Sequence, residues 1–166
     1  MNPELSIKDL PIEIVAYEAK YAEAFARLNR EWLDAFDLFE EADANHLYSP
    51  EEKIIDPGGK IFIATRGEEV VGTCAFKPLS AKVCELIKLT VAPQARGKGL
   101  GRLLVQVVLK EAQKLGASRV SLLSSSKLSS AIRLYESLGF KHEPVPPDQP
   151  YESADVYMVF SLRDDF

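Results

Sequence analysis

The stretch VAPQARGKGLGRLL, residues 91–104, decides the fold because it joins a predicted strand to a predicted helix. The strand runs from Val83 to Val91 and ends before a proline. The helix runs from about Leu100 to Leu115, where apolar side chains recur at the three- and four-residue steps of one helix face. Between them lie three glycines flanked by basic side chains, namely Gly97, Gly99 and Gly101 with Arg96, Lys98 and Arg102.

This junction has the composition of an anion-binding loop. Glycine permits a positive φ angle and a close approach to the backbone, and the free N–H groups at a helix start favour negative charge. A purely structural helix start does best with Ser, Thr, Asp or Asn as its cap, whereas glycine costs roughly 1 kcal/mol per helical position relative to alanine. We therefore expect the loop to bind a phosphate group.

Two common phosphate-binding motifs do not fit this loop. A Walker loop needs Ser or Thr after Gly-Lys, but here Gly99 follows Gly97-Lys98. The dinucleotide fingerprint G-x-G-x-x-G needs a third glycine where this chain has Arg102. A nucleotide-binding protein of either class is therefore disfavoured.

The loop instead resembles the acetyl-CoA signature of the GNAT family of N-acetyltransferases. Its Gln94-x-x-Gly97-x-Gly99 pattern follows a strand that ends in Leu89-Thr90-Val91-x-Pro93. A second stretch, AIRLYESLGF at residues 131–140, is similar to a later helix of that family. The two motifs span about residues 83–143, and their order and spacing make the resemblance specific.

The resemblance implies a single N-acetyltransferase domain over residues 1–166, with residues 1–10 as a loose lead-in. The expected fold is α/β, with a twisted mixed sheet of about seven strands, most pairs antiparallel, and helices on both faces. In this family the fourth and fifth strands splay apart, and acetyl-CoA enters the wedge between them. Here those strands would be about Lys82–Val91 and Ser118–Ser124.

Periodicity and turn residues predict the remaining elements. The helix after the loop leads to an apolar strand at Val120–Leu123, which makes a parallel crossover. Asp43–Ile55 reads as a polar connector with a helix start at Ser49-Pro50, and the stretch from Pro144 to Pro150 reads as a loop. The other predicted elements are a strand at Pro11–Tyr17, a helix at Lys20–Phe39, a hairpin at Lys60–Thr65 and Val70–Lys77, and a last strand at Asp155–Leu162.

The resemblance assigns the chemistry to two residues. Glu85 matches a glutamate that many members use as the general base, often through water. Strand alternation puts it on one face with Ile87 and Leu89, where partial burial should raise its pKa; the alternative is a charge that pairs with Lys82 or Lys88. Tyr135 matches the tyrosine that hydrogen-bonds the CoA sulfur and protonates the leaving thiolate, and its place in an apolar stripe also fits a core role.

The family pattern assigns cofactor binding mainly to backbone groups. Those of Leu89 and Val91 should bind the pantetheine arm, and an N–H near Leu89 should polarise the thioester carbonyl. The pyrophosphate should lie on the amides of the glycine-rich loop, which are those of Arg96, Gly97, Lys98, Gly99, Leu100, Gly101 and Arg102.

The acceptor amine should be recognised by residues 32–48, by the loop after Phe140 and by the Tyr151 region. Six acids in residues 31–43 are expected to form a solvated helix face. The alternative, which the resemblance implies, is that some of them attract a cationic amine. His46 and His142 are expected on the surface or in turns, and His142 or a water stays open as an alternative base.

Composition limits the partners. The chain has 166 residues, 46% of them hydrophobic, and a net charge of −5, which disfavours nucleic acid and suits a cationic small molecule. No apolar stretch is long enough for a membrane span, and no signal peptide or metal-ligand spacing occurs, so we expect a cytoplasmic protein without a metal. Cys74 and Cys84 are expected to be reduced core thiols. A homodimer is left open.

The function expected from this resemblance is transfer of an acetyl group from acetyl-CoA directly to a primary amine of a small molecule or peptide. A transferase for a longer acyl-CoA is the alternative within the same class. A CoA-binding regulatory module without turnover is the alternative outside it, although the presence of both Glu85 and Tyr135 favours an enzyme.

Overall fold

The structure, a computed structural model, describes residues 10–162, so the lead-in expected for residues 1–10 falls almost entirely outside it. Within this range seven strands form one sheet in the order β1-β2-β3-β4-β5-β7-β6. Neighbouring strands are antiparallel except β4 and β5, which run parallel. The strands are β1 (Ile12–Ala16), β2 (Lys60–Arg66), β3 (Glu69–Pro78), β4 (Val83–Val91), β5 (Arg119–Ser124), β6 (Lys141–Glu143) and β7 (Val156–Ser161).

Helices cover both faces of this sheet, and two adjacent residues of β3 show which helix lies where. Gly72 faces α3, because a Cβ atom built on it would lie 3.1 Å from a side-chain carbon of Leu104. The next side chain, Thr73, points to the opposite face and bonds Asn29 of α1. The mixed sheet with helices on both faces confirms the expected fold. The α-helices are α1 (Ala22–Ala35), α2 (Glu41–Tyr48), α3 (Leu100–Lys114) and α4 (Ser129–Leu138).

The first helix is shorter than its apolar pattern predicts. It ends at Ala35 rather than Phe39. Asp37 adopts a positive φ angle of 55°, a left-handed conformation that cannot continue a right-handed helix. Leu38 is then buried in the core from the loop that follows. Apolar spacing alone does not reveal this turn, because the side chains of the loop also pack inward.

The prediction for Asp43–Ile55 is half right, because its first part is a helix rather than a polar connector, whereas the helix start expected at Ser49-Pro50 is confirmed. Helix α2 covers its first part, and a turn of π-helix follows at Glu51–Ile55. Helix α2 has little apolar periodicity, so its sequence resembles a loop. Its start is instead fixed by Asp43, whose carboxylate accepts a hydrogen bond of 3.0 Å from the backbone N–H of Glu40.

Strand β6 was also missed. All three of its residues are exposed, and it pairs with β7 at the edge of the sheet. A three-residue strand without a buried side chain carries no alternation that a sequence pattern can detect. The prediction of a last strand at Asp155–Leu162 is confirmed by β7.

His46 lies in the core rather than on the surface. It belongs to α2 and is only 7% exposed, and its Nδ1 atom has no hydrogen-bond partner among residues 10–162. Burial and the positive charges of Lys88, Lys77 and Lys53 lower the pKa of His46 to about 3. The folded protein therefore holds this imidazole neutral over a pH range in which the unfolded chain protonates it.

This pKa difference predicts an acid-sensitive step in stability. Between pH 6.5 and about 3 the unfolded chain binds a proton at His46 that the folded protein does not, so the free energy of unfolding falls as the pH falls. His46→Leu should remove that contribution. Its unfolding free energy relative to the parent should rise by about 2 kcal/mol between pH 7 and pH 5.

Urea unfolding at the two pH values measures this difference. His142→Leu is the matched control, because His142 is exposed and is the other histidine of the chain. Identical pH slopes for the parent and His46→Leu would contradict the assignment of the acid-sensitive step to His46.

Candidate active site

The candidate site begins where β4 and β5 separate. Their parallel pairing joins Val83–Glu85 to Arg119–Ser121 and ends there, although both strands continue. This is the splay expected from the family resemblance. A cavity of about 120 Å³ opens at the gap. It is lined by Asn29, Trp32, Leu33, Leu38, Asp43, Glu85, Leu86, Ile87, Lys88, Leu89, Thr90, Leu122, Leu123, Ser124, Ser125, Leu128, Tyr135, Tyr151, Ser153 and Ala154.

A β-bulge lies in β4 at the wall of this cavity. Ala75 pairs with Ile87, but Thr73 pairs with Thr90, so two residues of β4, Lys88 and Leu89, oppose one residue of β3. Lys88 has a φ angle of 57°, which costs a non-glycine residue roughly 1–2 kcal/mol. The alternation expected from sequence is therefore wrong beyond Ile87. Thr90, rather than Leu89, takes the next place on the face that carries Glu85.

Glu85 occupies a central strand and is 8% exposed. Its carboxylate lies 3.7 Å from the ammonium of Lys77 on β3, whereas the sequence pointed to Lys82 or Lys88 as the partner in an ion pair. Burial raises the pKa of Glu85, and the charges of Lys77 and Lys88 partly oppose that rise. A buried carboxylate with a raised pKa, open to a cavity, has the properties of a general base.

Tyr135 reaches the same cavity from α4. Its side chain is 6% exposed, and its ring lies 5.5 Å from that of Phe140. Burial raises the pKa of the phenol above its ordinary value. The core interpretation of Tyr135 is therefore confirmed by its burial and its contact with Phe140, and its catalytic role stays a prediction.

The glycine-rich loop lies at the start of α3, next to the end of β4. Gly97 and Gly99 have φ angles of 80° and 79°, and a Cβ atom on either would meet nothing within 4 Å. The first bond of the helix runs from the N–H of Leu103 to the carbonyl of Gly99, so the amides of the first helical turn have no partner within the helix. The amide of Arg96, by contrast, donates to the carbonyl of Pro93 at 3.4 Å. These features match the requirements of an anion site.

Gly101 has a different explanation. A Cβ atom there would lie 3.2 Å from a side-chain carbon of Leu134, so this glycine lets α3 pack closely against α4. Close approach of a ligand is therefore not needed to account for it. The neighbouring Arg102 donates a hydrogen bond of 2.7 Å to the hydroxyl of Ser137, which also joins the two helices.

Arg96 connects the loop to the cavity. Its Nε donates to the backbone carbonyl of Val91 at 3.1 Å, and its guanidinium lies 4.8 Å from the ring centre of Trp32. Trp32 lines the cavity and is the chain's single tryptophan. Lys98 is exposed and lies within the loop.

Two of the six acids expected on a solvated face are instead structural. Glu40 accepts hydrogen bonds from the backbone N–H groups of Glu152 and Ser153, at 2.8 and 3.1 Å, which ties the start of α2 to the loop before β7. Asp43 is buried and forms an ion pair with Lys88, whose side chain is 7% exposed. A buried charge is costly unless it is paired, so Asp43 acts as the counter-ion of Lys88.

The acceptor side of the cavity contains part of the region expected from sequence, namely Trp32, Leu38, Asp43 and Tyr151. The end of β5 lines the cavity, in agreement with the wedge expected between Lys82–Val91 and Ser118–Ser124. Sequence reasoning did not single out Lys88 as a site residue, because nothing in its local sequence marks the bulge or the pairing with Asp43. His142 is exposed on β6, lies 2.9 Å from a carboxylate oxygen of Glu136, and does not line the cavity.

Two kinds of feature are absent from residues 10–162. Groups of three or more His, Cys, Asp or Glu side chains that could hold a metal ion do not occur there. Nor does that part of the chain contain a helix long and apolar enough to cross a membrane. Both cysteines are buried and free, as expected.

Comparison with known proteins identifies the family. Residues 22–140 match the model of the acetyltransferase (GNAT) family. The chain is 35% identical to an uncharacterized N-acetyltransferase of Schizosaccharomyces pombe over 134 residues, which cover 74% of this chain and 81% of that protein. Other curated N-acetyltransferases match about half of this chain, which spans roughly two fifths to one half of their length.

Solved structures show the same fold. A GNAT acetyltransferase from Staphylococcus aureus superposes with a TM-score of 0.84 at 20% identity, covering 92% of this chain and 100% of that one. An acetyltransferase from Salmonella typhimurium, solved with its cofactor acetyl-CoA, superposes with a TM-score of 0.71 at 21% identity, covering 94% and 96%. The chain belongs to the GNAT family of acetyltransferases, enzymes that use acetyl-CoA as their co-substrate.

Proposed function

We propose that this protein transfers the acetyl group of acetyl-CoA directly to a primary amine of a small molecule or peptide, with Glu85 as general base and Tyr135 as general acid. One observation carries the proposal. Glu85, Leu89 and Tyr135 line one and the same cavity. Direct transfer needs the base, the thioester and the leaving-group acid in one such space.

The donor side uses backbone groups. The pantetheine arm lies along β4, where Leu89 and Val91 no longer pair with β5. The pyrophosphate lies on the amides from Arg96 to Arg102, where the positive φ angles of Gly97 and Gly99 leave the backbone open. The start of a helix adds partial positive charge at that point.

Glu85 removes a proton from the acceptor amine, which is protonated at neutral pH. A lysine-like amine has a pKa near 10.4, so its deprotonation at pH 7 costs about 4.6 kcal/mol without a base. Burial raises the pKa of Glu85 and so brings the carboxylate closer in basicity to the amine. The ammonium form of the acceptor loses one proton to Glu85, and the neutral nitrogen attacks the carbonyl carbon. As the carbon–sulfur bond breaks, the nitrogen loses its second proton, which balances the one that the departing thiolate takes up to become free thiol.

Tyr135 stabilises the CoA thiolate as it leaves. Its hydroxyl donates a hydrogen bond to the sulfur as negative charge develops there. Because burial raises the pKa of the phenol, complete proton transfer to a thiolate is uphill, and an oriented hydrogen bond supplies most of the assistance.

The proposed function predicts release of free CoA thiol from acetyl-CoA when an amine acceptor is added. A panel of amines, amino acids, polyamines, aminoglycosides and peptides, read by thiol release, should contain at least one substrate. Longer acyl-CoA donors in the same assay test the alternative within the class. Tight binding of acetyl-CoA without thiol release for any member would favour a regulatory module instead.

The pyrophosphate site predicts different effects for two similar glycines. Gly99 and Gly116 lie before and after α3, both have positive φ angles, and a Cβ atom added to either would have no neighbouring atom within 4 Å. Gly99→Val and Gly116→Val should therefore lose similar stability, because both force a β-branched residue into a left-handed conformation. Only Gly99→Val should weaken CoA binding, by about tenfold or more, since it alone obstructs the proposed amides.

Calorimetric titration of the folded variants with CoA measures this contrast. The emission of Trp32 is a second readout, because this tryptophan contacts Arg96 of the loop. Equal CoA affinities for the two variants would remove the basis for placing the pyrophosphate at this loop.

The two catalytic roles predict different responses to pH. The carboxyl of Glu85 must be ionised to act as a base, so kcat of the parent should rise as the pH rises through its raised pKa. Glu85→Gln should lose most activity near neutral pH and recover partly at high pH, where more of the amine is neutral. Tyr135→Phe should lower kcat by about 10- to 100-fold at every pH.

The measurement is kcat against pH for the parent and both variants, with donors of different leaving thiols. The Tyr135→Phe loss should shrink with a more acidic thiol, which leaves with less assistance. If Glu85→Gln keeps the parental profile, a water held by backbone groups replaces Glu85 as the base. If Tyr135→Phe loses no activity, Tyr135 contributes only to core packing and is not the general acid.

A further inference from the structure

A buried polar network lies beneath the bulge of β4, on the side of α1. The side-chain N–H groups of Asn29 donate to the backbone carbonyl of Phe25 at 2.9 Å and to the hydroxyl of Thr73 at 3.0 Å. The hydroxyl of Thr90 donates to the side-chain oxygen of Asn29 at 2.7 Å. The hydroxyl of Thr73 in turn donates to the backbone carbonyl of Lys88 at 2.8 Å.

The network ends at Lys88, whose left-handed backbone conformation is unfavourable for a residue other than glycine. Lys88 is the bulge residue with a positive φ angle. A strained conformation of this kind persists only where its surroundings hold it. Two contacts do so from opposite ends, since Thr73 binds the carbonyl of Lys88 and Asp43 binds its ammonium. Asn29, Thr73 and Thr90 are each at most 3% exposed, so water does not replace these bonds easily.

The hydrogen bond from Thr73 to the carbonyl of Lys88 also fixes the direction of the Leu89 N–H. The carbonyl of Lys88 and the N–H of Leu89 belong to one peptide unit, which is planar and trans, so the two groups point in opposite directions. The carbonyl is turned toward Thr73, on β3. The N–H of Leu89 therefore points away from Thr73, and Leu89 lines the cavity beyond the point where β4 stops pairing with β5.

We propose that Thr73, held by Asn29, is a positioning residue that aims the Leu89 N–H at the carbonyl oxygen of the bound thioester. This inference rests on the proposed function, in which that N–H stabilises the negative charge of the transition state. Thr73 itself touches no substrate. It acts by fixing the rotation of the peptide unit between Lys88 and Leu89, and a donor aimed in advance loses nothing to reorientation during the reaction.

Thr90 is the matched control within the same network. Its hydroxyl is as buried as that of Thr73 and also bonds Asn29, but it makes no contact with Lys88. Thr73→Val and Thr90→Val both keep a β-branched side chain of similar shape and lose one hydroxyl. Only Thr73→Val releases the Lys88 carbonyl. Thr73→Ser keeps the hydroxyl and is the conservative rescue.

The first experiment observes the bond to the thioester without any acceptor. Acetyl-CoA labelled with carbon-13 at the thioester carbonyl is bound to each variant, and its carbonyl resonance is recorded by NMR. In the parent, Thr90→Val and Thr73→Ser, a hydrogen bond from Leu89 should move the resonance downfield of that of free acetyl-CoA. In Thr73→Val it should return most of the way to the free value.

The second experiment separates turnover from binding, using the best acceptor from the amine panel. Thr73→Val should lower kcat by roughly tenfold or more, less than the 10²–10³ loss caused by outright removal of an oxyanion donor, and leave KM for acetyl-CoA unchanged. Thr73→Ser should stay within about threefold of the parent, and Thr90→Val should lose clearly less kcat than Thr73→Val, because it leaves the bond to the Lys88 carbonyl in place. Urea unfolding of the same variants shows whether each sample is folded under the assay conditions.

The possible results test the positioning role of Thr73 separately from the proposed acetyl transfer. A downfield shift that survives in Thr73→Val, or equal kcat losses in Thr73→Val and Thr90→Val, overturns the positioning role and leaves the acetyl transfer standing. A parent that binds acetyl-CoA without any downfield shift overturns both the donor role of Leu89 and its positioning by Thr73. A parent that releases no thiol with any amine refutes the proposed function itself.

Discussion

The catalytic half of this protein depends on the point where β4 and β5 stop pairing. Parallel hydrogen bonding ends at Glu85 and Ser121, and the strands beyond it no longer satisfy each other's backbone groups. Buried N–H and C=O groups need partners, so such a gap suits a ligand that can pair with a strand edge. The pantetheine arm carries amides that can do so. The gap, the bulge and the cavity lined by Tyr135 together form the space in which we propose that acetyl-CoA reacts.

Two ion pairs lie beside that gap, one of them buried and the other partly exposed. Lys88 and Asp43 are almost completely buried and paired with each other, which holds the bulge against α2. Glu85 and Lys77 approach only to 3.7 Å, and burial still raises the pKa of Glu85. Because removing one partner of a buried pair is costly, the first pair favours rigidity. The second leaves a carboxylate that can still accept a proton.

Sequence reasoning worked best where structure is local or the pattern is long. The glycine-rich loop, α3 and the parallel crossover into β5 were predicted because turn chemistry and helical periodicity are short-range properties. Helix α2 was missed because its stability comes from Asp43, whose partner Lys88 lies 45 residues away along the chain. His46 was misjudged for the same reason, since nothing beside it in the sequence marks it as buried.

The sequence by itself determined the family, the glycine-rich anion loop and the two candidate catalytic residues, because these reside in contiguous motifs. Only the tertiary structure decided how the motifs meet. The bulge at Lys88 shifts the register of β4, so Thr90 rather than Leu89 follows Glu85 and Ile87 on one face. Asn29, Thr73 and Thr90 come from three separate elements, and each is an ordinary polar residue in its local context. Their role arises from long-range hydrogen bonds, which no local pattern encodes.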